Sequence, residues 1–344
     1  MKRGVLLFVC PILFWAVVGA RAMTSAEAGG AILPLMPKGA SGRLGVMVKS
    51  LKTGKVIFAY NEGKSFVPAS NAKVFVSAAS LWLLKPDYRF KTEFSTDGAL
   101  RDGVLYGDLY VKGYGDPTLT SSHLEYIAHE FKVLGITHIS GSIVVDDSYF
   151  DEERYGPGWK ESWKGVSYSP PVSALTLNLN TVTIRISPER VGEKPTVEFE
   201  PPRSGFRVVN EAVTAYNSKG GVRAEFLPDG ETVVVSGSIS PRAGALVVTR
   251  AVPEPALYAG RSFKAALGGV GIRVEGGVRR GVVPPAARRL YTHFSDALSD
   301  IVAEYNKNSV NVIGENIIKT LGAAFLSPPG SRQKGASVIE DFTN

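Results

Sequence analysis

A serine and a lysine three positions apart carry the clearest chemical signal in this sequence, in Ser70-Asn71-Ala72-Lys73. On a helix, residues three apart share a face, so the Ser70 hydroxyl and the Lys73 amine are expected to be neighbours. Burial disfavours a charged lysine, and a neutral amine can take the serine proton and create a nucleophile. The first helical turn also favours developing negative charge. The alternative is a helix N-cap followed by a solvated lysine.

A second polar group lies far along the chain, at Ser309-Val310-Asn311 between two predicted helices. Its hydroxyl can pass a proton to a leaving amine, and its carboxamide can hold a substrate amide. The alternative is a polar loop between helices that takes no part in chemistry.

The elements on either side of Ser70 are predicted to be a hairpin and a helix. Residues 44–50 and 55–60 predict two strands around Leu51-Lys52-Thr53-Gly54. An apolar run after Ser70 predicts a helix that stops before Pro86. Because its apolar residues lie nearly all the way round, we expect this helix to be buried on most sides. They are Val74, Phe75, Val76, Ala78, Leu81 and Trp82.

Short strands and turns dominate from about residue 95 to residue 288, which predicts an inserted α+β region. Within it, the amphipathic stretch Ser121 to Leu134 predicts a helix, and a second helix is expected over Pro255 to Leu267. Pro228-Asp229-Gly230 predicts the turn of a hairpin.

Helical periods return after Leu290. Ser295 is expected to cap a helix that Asn306-Lys307-Asn308 breaks. A second helix is expected from Val310 to Leu321, ended by Gly322. A third begins near Gln333.

The N-terminus predicts a signal peptide over residues 1–22, and hence an exported, periplasmic or extracytoplasmic protein. Lys2 and Arg3 precede the uncharged stretch Gly4 to Val18, and Ala20-Arg21-Ala22 is typical of a cleavage site. An uncleaved anchor is the alternative. The only cysteine, Cys10, lies within this segment, so the mature fold is expected to need no disulfide.

Composition and charge argue against several other functions. The net charge of +7 includes three basic residues of the N-terminal segment. The sequence contains no basic run with interleaved aromatic residues, so nucleic-acid binding is not expected. Membrane contact is expected to be peripheral or absent. The histidines (His123, His129, His138 and His293) form no H-E-x-x-H pattern, so no metal is expected. No serine lies in a G-x-S-x-G motif, which argues against an α/β-hydrolase. The run Gly268-Gly269-Val270-Gly271 does not complete the nucleotide-binding motif G-x-G-x-x-G.

In combination, the two polar groups resemble the penicillin-recognising serine enzymes, in which S-x-x-K, S-x-N and K-T-G follow in that order. The longer segments resemble one family of them, the D-alanyl-D-alanine carboxypeptidase/endopeptidases (class C low-molecular-mass penicillin-binding proteins). The resemblance covers about residues 40 to 344. It rests on Val67–Lys73, Gly107–Val111, Gly113–Leu119, Gly141–Phe150, Pro157–Trp159, Ser173–Asn180, Asn308–Asn311, Glu315 and Leu321-Gly322.

This resemblance implies an α+β, β-lactamase/transpeptidase-like fold split by a large α+β insertion. The expected division is residues 23–94 and 289–344 for the peptidase domain, with residues 95–288 inserted. Ser70 would be the nucleophile, Lys73 the general base, Ser309 a proton relay and Asn311 the substrate-binding amide. The implied partners are peptidoglycan peptides ending in D-Ala-D-Ala and β-lactams, and no cofactor is implied.

The sequence departs from the family pattern at two points. Val310 stands where the family usually has aspartate. No Lys-Thr-Gly follows Ser309, and Lys52-Thr53-Gly54 precedes the nucleophile at a predicted turn. In the family the third motif lies on a later strand that supplies an oxyanion N–H, so it is expected beyond Asn344 in a longer protein. The alternatives are a β-lactamase or esterase on the same fold, and a catalytically incomplete wall-binding protein.

Overall fold

The computed structural model describes residues 23–37, 43–202, 204–218 and 220–344 of the chain. They fall into two compact units, Met1–Ala69 and Ser70–Asn344. The predicted signal peptide, residues 1–22, lies outside the described residues. Within the part that is described, no helix has the length and apolar character needed to cross a bilayer.

The first unit holds one helix and a two-stranded sheet. Its elements are α1 (Ser25–Ile32), a 3₁₀ turn (Leu33–Leu35), β1 (Val46–Lys49) and β2 (Val56–Tyr60). The predicted hairpin is confirmed, because β1 and β2 pair antiparallel. Gly54 closes the turn with φ of 71° and donates its N–H to Ser50 O at 2.8 Å. Lys52-Thr53-Gly54 is therefore a hairpin turn.

The second unit contains six α-helices among its described residues: α2 (Lys73–Leu83), α3 (Ser121–Val133), α4 (Pro255–Gly269), α5 (Leu298–Asn308), α6 (Asn311–Phe325) and α7 (Arg332–Thr343). Short 3₁₀ turns cover Ala69–Ala72, Glu161–Trp163 and Asn178–Asn180. Helices α2, α5, α6 and α7 share one hydrophobic core, in which Val76, Phe90, Ile301, Ile317 and Val338 are buried.

The same unit contains sixteen strands among its described residues. They are β3 (Lys91–Thr96), β4 (Ala99–Arg101), β5 (Val104–Tyr106), β6 (Leu109–Gly113), β7 (His138–Ile139), β8 (Ile143–Asp146), β9 (Thr181–Ser187), β10 (Thr196–Glu200), β11 (Arg207–Asn210), β12 (Val213–Thr214), β13 (Val222–Phe226), β14 (Thr232–Ile239), β15 (Leu246–Ala251), β16 (Arg273–Val274), β17 (Val278–Arg280) and β18 (Arg288–Phe294).

A mixed five-stranded sheet, in the order β17-β8-β6-β3-β18, forms the base of the inserted region. The pairs β3–β6 and β3–β18 are antiparallel, whereas β6–β8 and β8–β17 are parallel. Helix α4 packs closely on this sheet, since a Cβ on Gly260 would meet methyl groups of Val145 and Val278 at 2.6 Å. The other sheets are β16-β7-β5-β4, β10-β9-β15 and a set of β11, β12 and β13 on β14. The α+β class is confirmed.

The inserted region begins in β3 and ends in β18, and these two strands are neighbours in the sheet. The expected boundaries 94/95 and 288/289 fall within β3 and β18, which pair with each other. The chain segments beside them are tied together, because Leu298 N donates to Tyr88 O at 2.8 Å and Phe90 N donates to Ser295 Oγ at 3.0 Å. The division of the chain into domains stays a prediction.

Helix α2 contradicts the prediction that it is buried on most sides. Val74, Phe75 and Trp82 are 62%, 55% and 67% exposed. The buried face instead carries polar side chains, including Ser77, whose Oγ donates to Lys73 O at 2.9 Å. Apolar residues around a helix show which faces favour burial, but they do not show which face has a partner.

Three predicted helix ends were also wrong. Ser295 does not cap α5, which begins after Ala297; its hydroxyl accepts from Phe90 N instead. Residues 306–308 continue α5 rather than breaking it. Gly322 lies inside α6, where it allows a close approach to α7, because its Cβ would meet Gly335 N at 2.8 Å.

Replacing Gly335 by alanine should destabilise the helical core by about 1–3 kcal/mol, because the added methyl cannot fit between α6 and α7. It would meet the carbonyl carbon of Ile318 at 2.6 Å. Chemical denaturation followed by circular dichroism measures the change. Gly268→Ala on α4 is the matched control, because nothing lies within 4 Å of its Cβ position. We expect that control to be neutral or stabilising by up to about 1 kcal/mol, and equal effects of both substitutions would contradict the packing.

Candidate active site

A sharp turn of the backbone presents Ser70 at the start of α2. Ala69 has φ of 47°, in the left-handed region, and the 3₁₀ turn Ala69–Ala72 leads into the helix. This places the Ser70 side chain at the exposed end of the element, while Lys73 is only 9% exposed. Lys73 Nζ lies 3.3 Å from Ser70 Oγ. The predicted meeting of a hydroxyl and an amine across one turn therefore occurs.

A second sharp turn, between α5 and α6, brings the other two predicted residues to the same place. Ser309 has φ of 55° and Val310 is extended, so the chain reverses within two residues before α6 begins at Asn311. Lys73 Nζ lies 2.9 Å from both Ser309 O and Ser309 Oγ, and 2.7 Å from Asn311 Oδ1. Ser309 Oγ is 3.0 Å from Ser70 Oγ. The structure thus brings all four predicted residues together.

The hydrogen-bond partners of Lys73 suit a neutral amine. Two of them, Ser309 O and Asn311 Oδ1, can only accept, and a neutral amine has two N–H groups to give. Its lone pair is then left facing the hydroxyls of Ser70 and Ser309, both of which can donate. The orientation of Asn311 is fixed from its other end, because Nδ2 donates to Tyr168 O at 2.9 Å.

The surroundings of Lys73 favour the same protonation state. Burial lowers the pKa of its amine below the 10.5 of an exposed lysine, and the Glu315 carboxylate opposes that shift. The ring of Tyr305 lies 5.7 Å from Nζ and forms part of the wall of the site. Burial raises the pKa of Tyr305, so its phenol stays neutral. Hence Lys73 can act as a base at lower pH than an exposed lysine.

Val310, in the position where the family usually has aspartate, is partly buried and packs against the helical core. The backbone corner that aims Ser309 and Asn311 does not depend on this side chain, since Ser309 supplies the left-handed turn. The substitution is therefore compatible with the site geometry.

A cavity of about 300 Å³ opens beside Asn311. The segment carrying Tyr168 forms one wall, and the α5–α6 corner forms the other. The ring of Tyr168 meets that of Trp163 edge-on at 6.0 Å and is 55% exposed. The lining residues are Ser167, Tyr168, Pro170, Leu179, Thr181 and Asn308 to Val312. This cavity offers room for the part of a ligand that extends away from Ser70.

Two polar residues within the segments that resemble the family, Asp116 and Asn180, form hydrogen bonds that stabilise local turns. Asp116 Oδ1 accepts from Thr118 N at 2.8 Å and from its hydroxyl at 2.7 Å. Asn180 Nδ2 donates to Pro171 O at 2.8 Å. Neither residue lies among the hydrogen-bond partners of Ser70 or Lys73.

Sequence reasoning missed two contributors to the site. The carbonyl of Tyr168 anchors Asn311, and a backbone acceptor leaves no signature in residue types. Glu315 acts on Lys73 from within α6. Its signal was available, because Asn311, Glu315 and Lys319 recur every four residues on a helix of mostly apolar residues.

Comparison with known sequences finds one family whose profile covers most of the chain. The D-Ala-D-Ala carboxypeptidase 3 (S13) family matches residues 35–342. The chain is 31% identical over 341 residues to a D-alanyl-D-alanine carboxypeptidase of Actinomadura sp. (strain R39), covering 93% of this chain and 63% of that protein. It is 24% identical over 310 residues to the D-alanyl-D-alanine carboxypeptidase DacB of Haemophilus influenzae, covering 89% and 64%. The chain thus spans a little under two thirds of the length of these relatives.

Comparison with solved structures gives the same family of folds. Penicillin binding protein 4 (dacB) of Haemophilus influenzae superposes with a TM-score of 0.78 at 24% identity, over 94% of this chain and 70% of that one. Its complex with a β-lactam superposes with a TM-score of 0.70 at 23% identity, over 91% and 68%. At these identities the likeness concerns the fold.

Substituting Ser309 should separate backbone strain from hydroxyl chemistry. A non-glycine residue in the left-handed region costs about 1–2 kcal/mol, and glycine avoids that strain at a smaller cost in entropy. Ser309→Gly should therefore be more stable than Ser309→Ala by about 1 kcal/mol in urea denaturation, although both lack the hydroxyl. The control pair is Ser70→Gly and Ser70→Ala, at a position without a left-handed φ. There the order should reverse, and the same order at both positions would contradict the assignment of strain to Ser309.

Proposed function

The chain belongs to the D-Ala-D-Ala carboxypeptidase 3 (S13) family, and from that membership and its site we propose that it is a penicillin-binding serine-type D-Ala-D-Ala carboxypeptidase/endopeptidase. Its fold is the expected penicillin-recognising serine-enzyme fold with an α+β insertion, as the superposition on penicillin binding protein 4 shows. The proposed substrates are peptidoglycan stem peptides and their cross-links, and β-lactams would acylate the same serine.

One observation carries the proposal: Lys73 Nζ, Ser70 Oγ and Ser309 Oγ form a triangle with sides of 3.3, 3.0 and 2.9 Å. Neutral Lys73 would take the Ser70 proton as Oγ attacks the carbonyl carbon of the penultimate D-alanine. The new C–O bond would form while the carbonyl electrons move to oxygen. The Lys73 proton would then pass through Ser309 Oγ to the departing amine as the C–N bond breaks. Water would release the acyl group by the reverse proton path.

Asn311 would hold the substrate without releasing Lys73. Its Oδ1 accepts from Lys73, and one N–H of Nδ2 donates to Tyr168 O. A primary amide nitrogen has two N–H groups, so the second remains for a substrate amide carbonyl. Its position beside the cavity supports this role, because a peptide lying there would pass Asn311 on its way to Ser70.

An exported location agrees with this activity. The charged and apolar pattern of residues 1–22 supports a signal peptide, and a family of carboxypeptidases acting on D-Ala-D-Ala finds its substrate in the cell wall. We place the protein in the periplasm or another extracytoplasmic space, with no nucleic-acid partner and peripheral or no membrane contact.

Incubation with a fluorescent penicillin should leave one adduct, which peptide mass spectrometry maps to Ser70. Ser70→Ala should carry none, because the nucleophile is gone. Lys73→Met should react about 10²–10⁴ times more slowly for want of a general base. The matched control is Lys307→Met, an exposed lysine in the last turn of α5, which should keep the parent rate.

Each other outcome of this labelling points to a different function. An adduct on another residue would overturn the mechanism. Rapid turnover of a chromogenic β-lactam without accumulation would indicate a β-lactamase or esterase. Binding to isolated peptidoglycan with no adduct at all would indicate a wall-binding protein.

The rate of acylation should rise with pH, and the ionisation of Lys73 should determine the acidic limb of this pH–rate profile. Because burial lowers the pKa of its amine from 10.5, the neutral base becomes more abundant as pH rises, about tenfold per unit below that pKa. Rates of β-lactam acylation from pH 5 to 10 should therefore climb and level off below pH 10.5. A rate that is independent of pH, or one that falls across this range, would rule out a lysine base.

A further inference from the structure

A stripe of polar side chains runs down the inside of α6, away from the catalytic corner. It consists of Asn311, Glu315 and Lys319, one helical turn apart. Glu315 is 8% exposed and Lys319 is 2% exposed, and they lie among the aliphatic core residues Ile313, Ile317 and Leu321 and the buried polar residues Asn316 and Thr320. Buried charges rarely add to stability compared with apolar residues of the same size. Stability therefore does not explain why Glu315 and Lys319 are charged.

Each charge of the stripe has a partner from another element. Glu315 Oε1 pairs with Arg332 Nη2 at the start of α7. Lys319 Nζ donates to Asp151 Oδ1 and Glu153 O. A glycine closes the space over the first pair, because a Cβ on Gly156 would meet Arg332 Nη2 at 2.5 Å and Glu315 Oε1 at 3.2 Å. The Glu315–Arg332 pair is therefore enclosed and poorly screened by water.

Glu315 lies one turn along α6 from Asn311, whose Oδ1 is 2.7 Å from Lys73 Nζ, and it is the charged group that acts on Lys73. The Glu315 carboxylate favours the ammonium form of Lys73, against the effect of burial. From α5, Tyr305 contributes a neutral phenol, and its pKa is raised by burial and by the Glu315 charge. Burial also raises the pKa of Glu315, while Arg332 and Lys319 oppose that rise and Glu153 adds to it. Arg332 thus favours the ionised form of Glu315 in spite of its burial, and its positive charge lies directly against that carboxylate.

We propose that Glu315 is a positioning residue of the reaction: its carboxylate, balanced by Arg332, sets the charge felt at the Lys73 amine and so the pH at which that amine serves as the base. The proposal rests on the proposed function, because it assigns Lys73 the role of base. It gives the two partners of one ion pair opposite effects. Removing the anion should make Lys73 easier to deprotonate, and removing the cation should make it harder.

The test compares Glu315→Gln with Arg332→Gln. In Glu315→Gln the unpaired guanidinium disfavours the ammonium, so the acidic limb of β-lactam acylation should move to lower pH. In Arg332→Gln the Glu315 carboxylate has lost its counter-charge and, at the pH values where it is ionised, favours the ammonium, so the limb should move to higher pH. At a fixed pH on that limb the rates should change by about two- to tenfold in opposite directions, as a displacement of roughly 0.3–1 pH unit gives.

Two further variants separate this effect from a loss of packing. Glu315→Gln/Arg332→Gln removes both charges, and its limb should lie between those of the single variants. Asp151→Asn breaks the other buried pair one turn further from Lys73, and it should lower stability without moving the limb. If both single variants lose rate equally at every pH, or both limbs move the same way, the role of Glu315 is structural only and the proposal fails. If one single variant does not fold, the double variant and the other single variant still decide the sign.

A second readout does not depend on catalysis. Trace acetylation by isotopic acetic anhydride at each pH, quantified at Lys73 by peptide mass spectrometry, follows the neutral amine directly. The midpoints for Glu315→Gln and Arg332→Gln should again lie on opposite sides of the parent midpoint. If the parent forms no β-lactam adduct yet these midpoints separate, the proposed function fails and the assignment of Glu315 stands as a control of Lys73 ionisation. If adducts form and the midpoints coincide, the assignment of Glu315 is wrong.

Discussion

The amine of Lys73 is the constraint on which the rest of the structure depends. It meets oxygens of Ser70, Ser309 and Asn311 within 2.7–3.3 Å, and two of the four acceptors it faces cannot donate. An ammonium ion would satisfy those contacts but could not take a proton from Ser70. The proposed catalysis therefore requires acceptors that hold the amine in place while burial disfavours its third proton. Burial, which is unfavourable for a charged lysine, is what reconciles the two demands.

The architecture keeps those contacts independent of the chain between them. Ser70 and Ser309 are 239 residues apart, yet the intervening region enters and leaves through the paired strands β3 and β18. Because the two ends of the insertion lie side by side, its size does not affect how α2 packs on α5 and α6. The insertion still reaches the site, since Tyr168 supplies the carbonyl that orients Asn311. The segment that carries Tyr168 therefore both lines the cavity and fixes the orientation of Asn311, which in turn contacts Lys73.

How far the sequence predicted this arrangement depends on the kind of signal. Local spacing was enough for the Ser70–Lys73 pair, for the hairpin at Gly54 and for the existence of helices α2 to α7, but α1 was not predicted. It failed where a neighbour decides the outcome: Gly322 was expected to end α6, but its missing side chain serves a contact with α7. Ser295 was expected to be a cap because hydroxyls favour that position, yet its hydroxyl accepts a bond from Phe90, 205 residues away. The exposed apolar side of α2 could not be predicted either, since periodicity does not identify partners.

The charged stripe of α6 follows from the same demand on Lys73. Burial alone would depress the affinity of the amine for a proton, but a base that never holds the proton cannot pass it through Ser309 to a leaving group. A nearby carboxylate restores that affinity, and a carboxylate left alone would restore too much, because charges in a poorly screened interior act strongly on one another. Arg332 pairs with the Glu315 carboxylate, and in the proposed mechanism this leaves an intermediate field at the amine. In the proposed mechanism, the Lys73 base therefore depends on a buried ion pair one turn along α6 from Asn311 as well as on the serine that it activates.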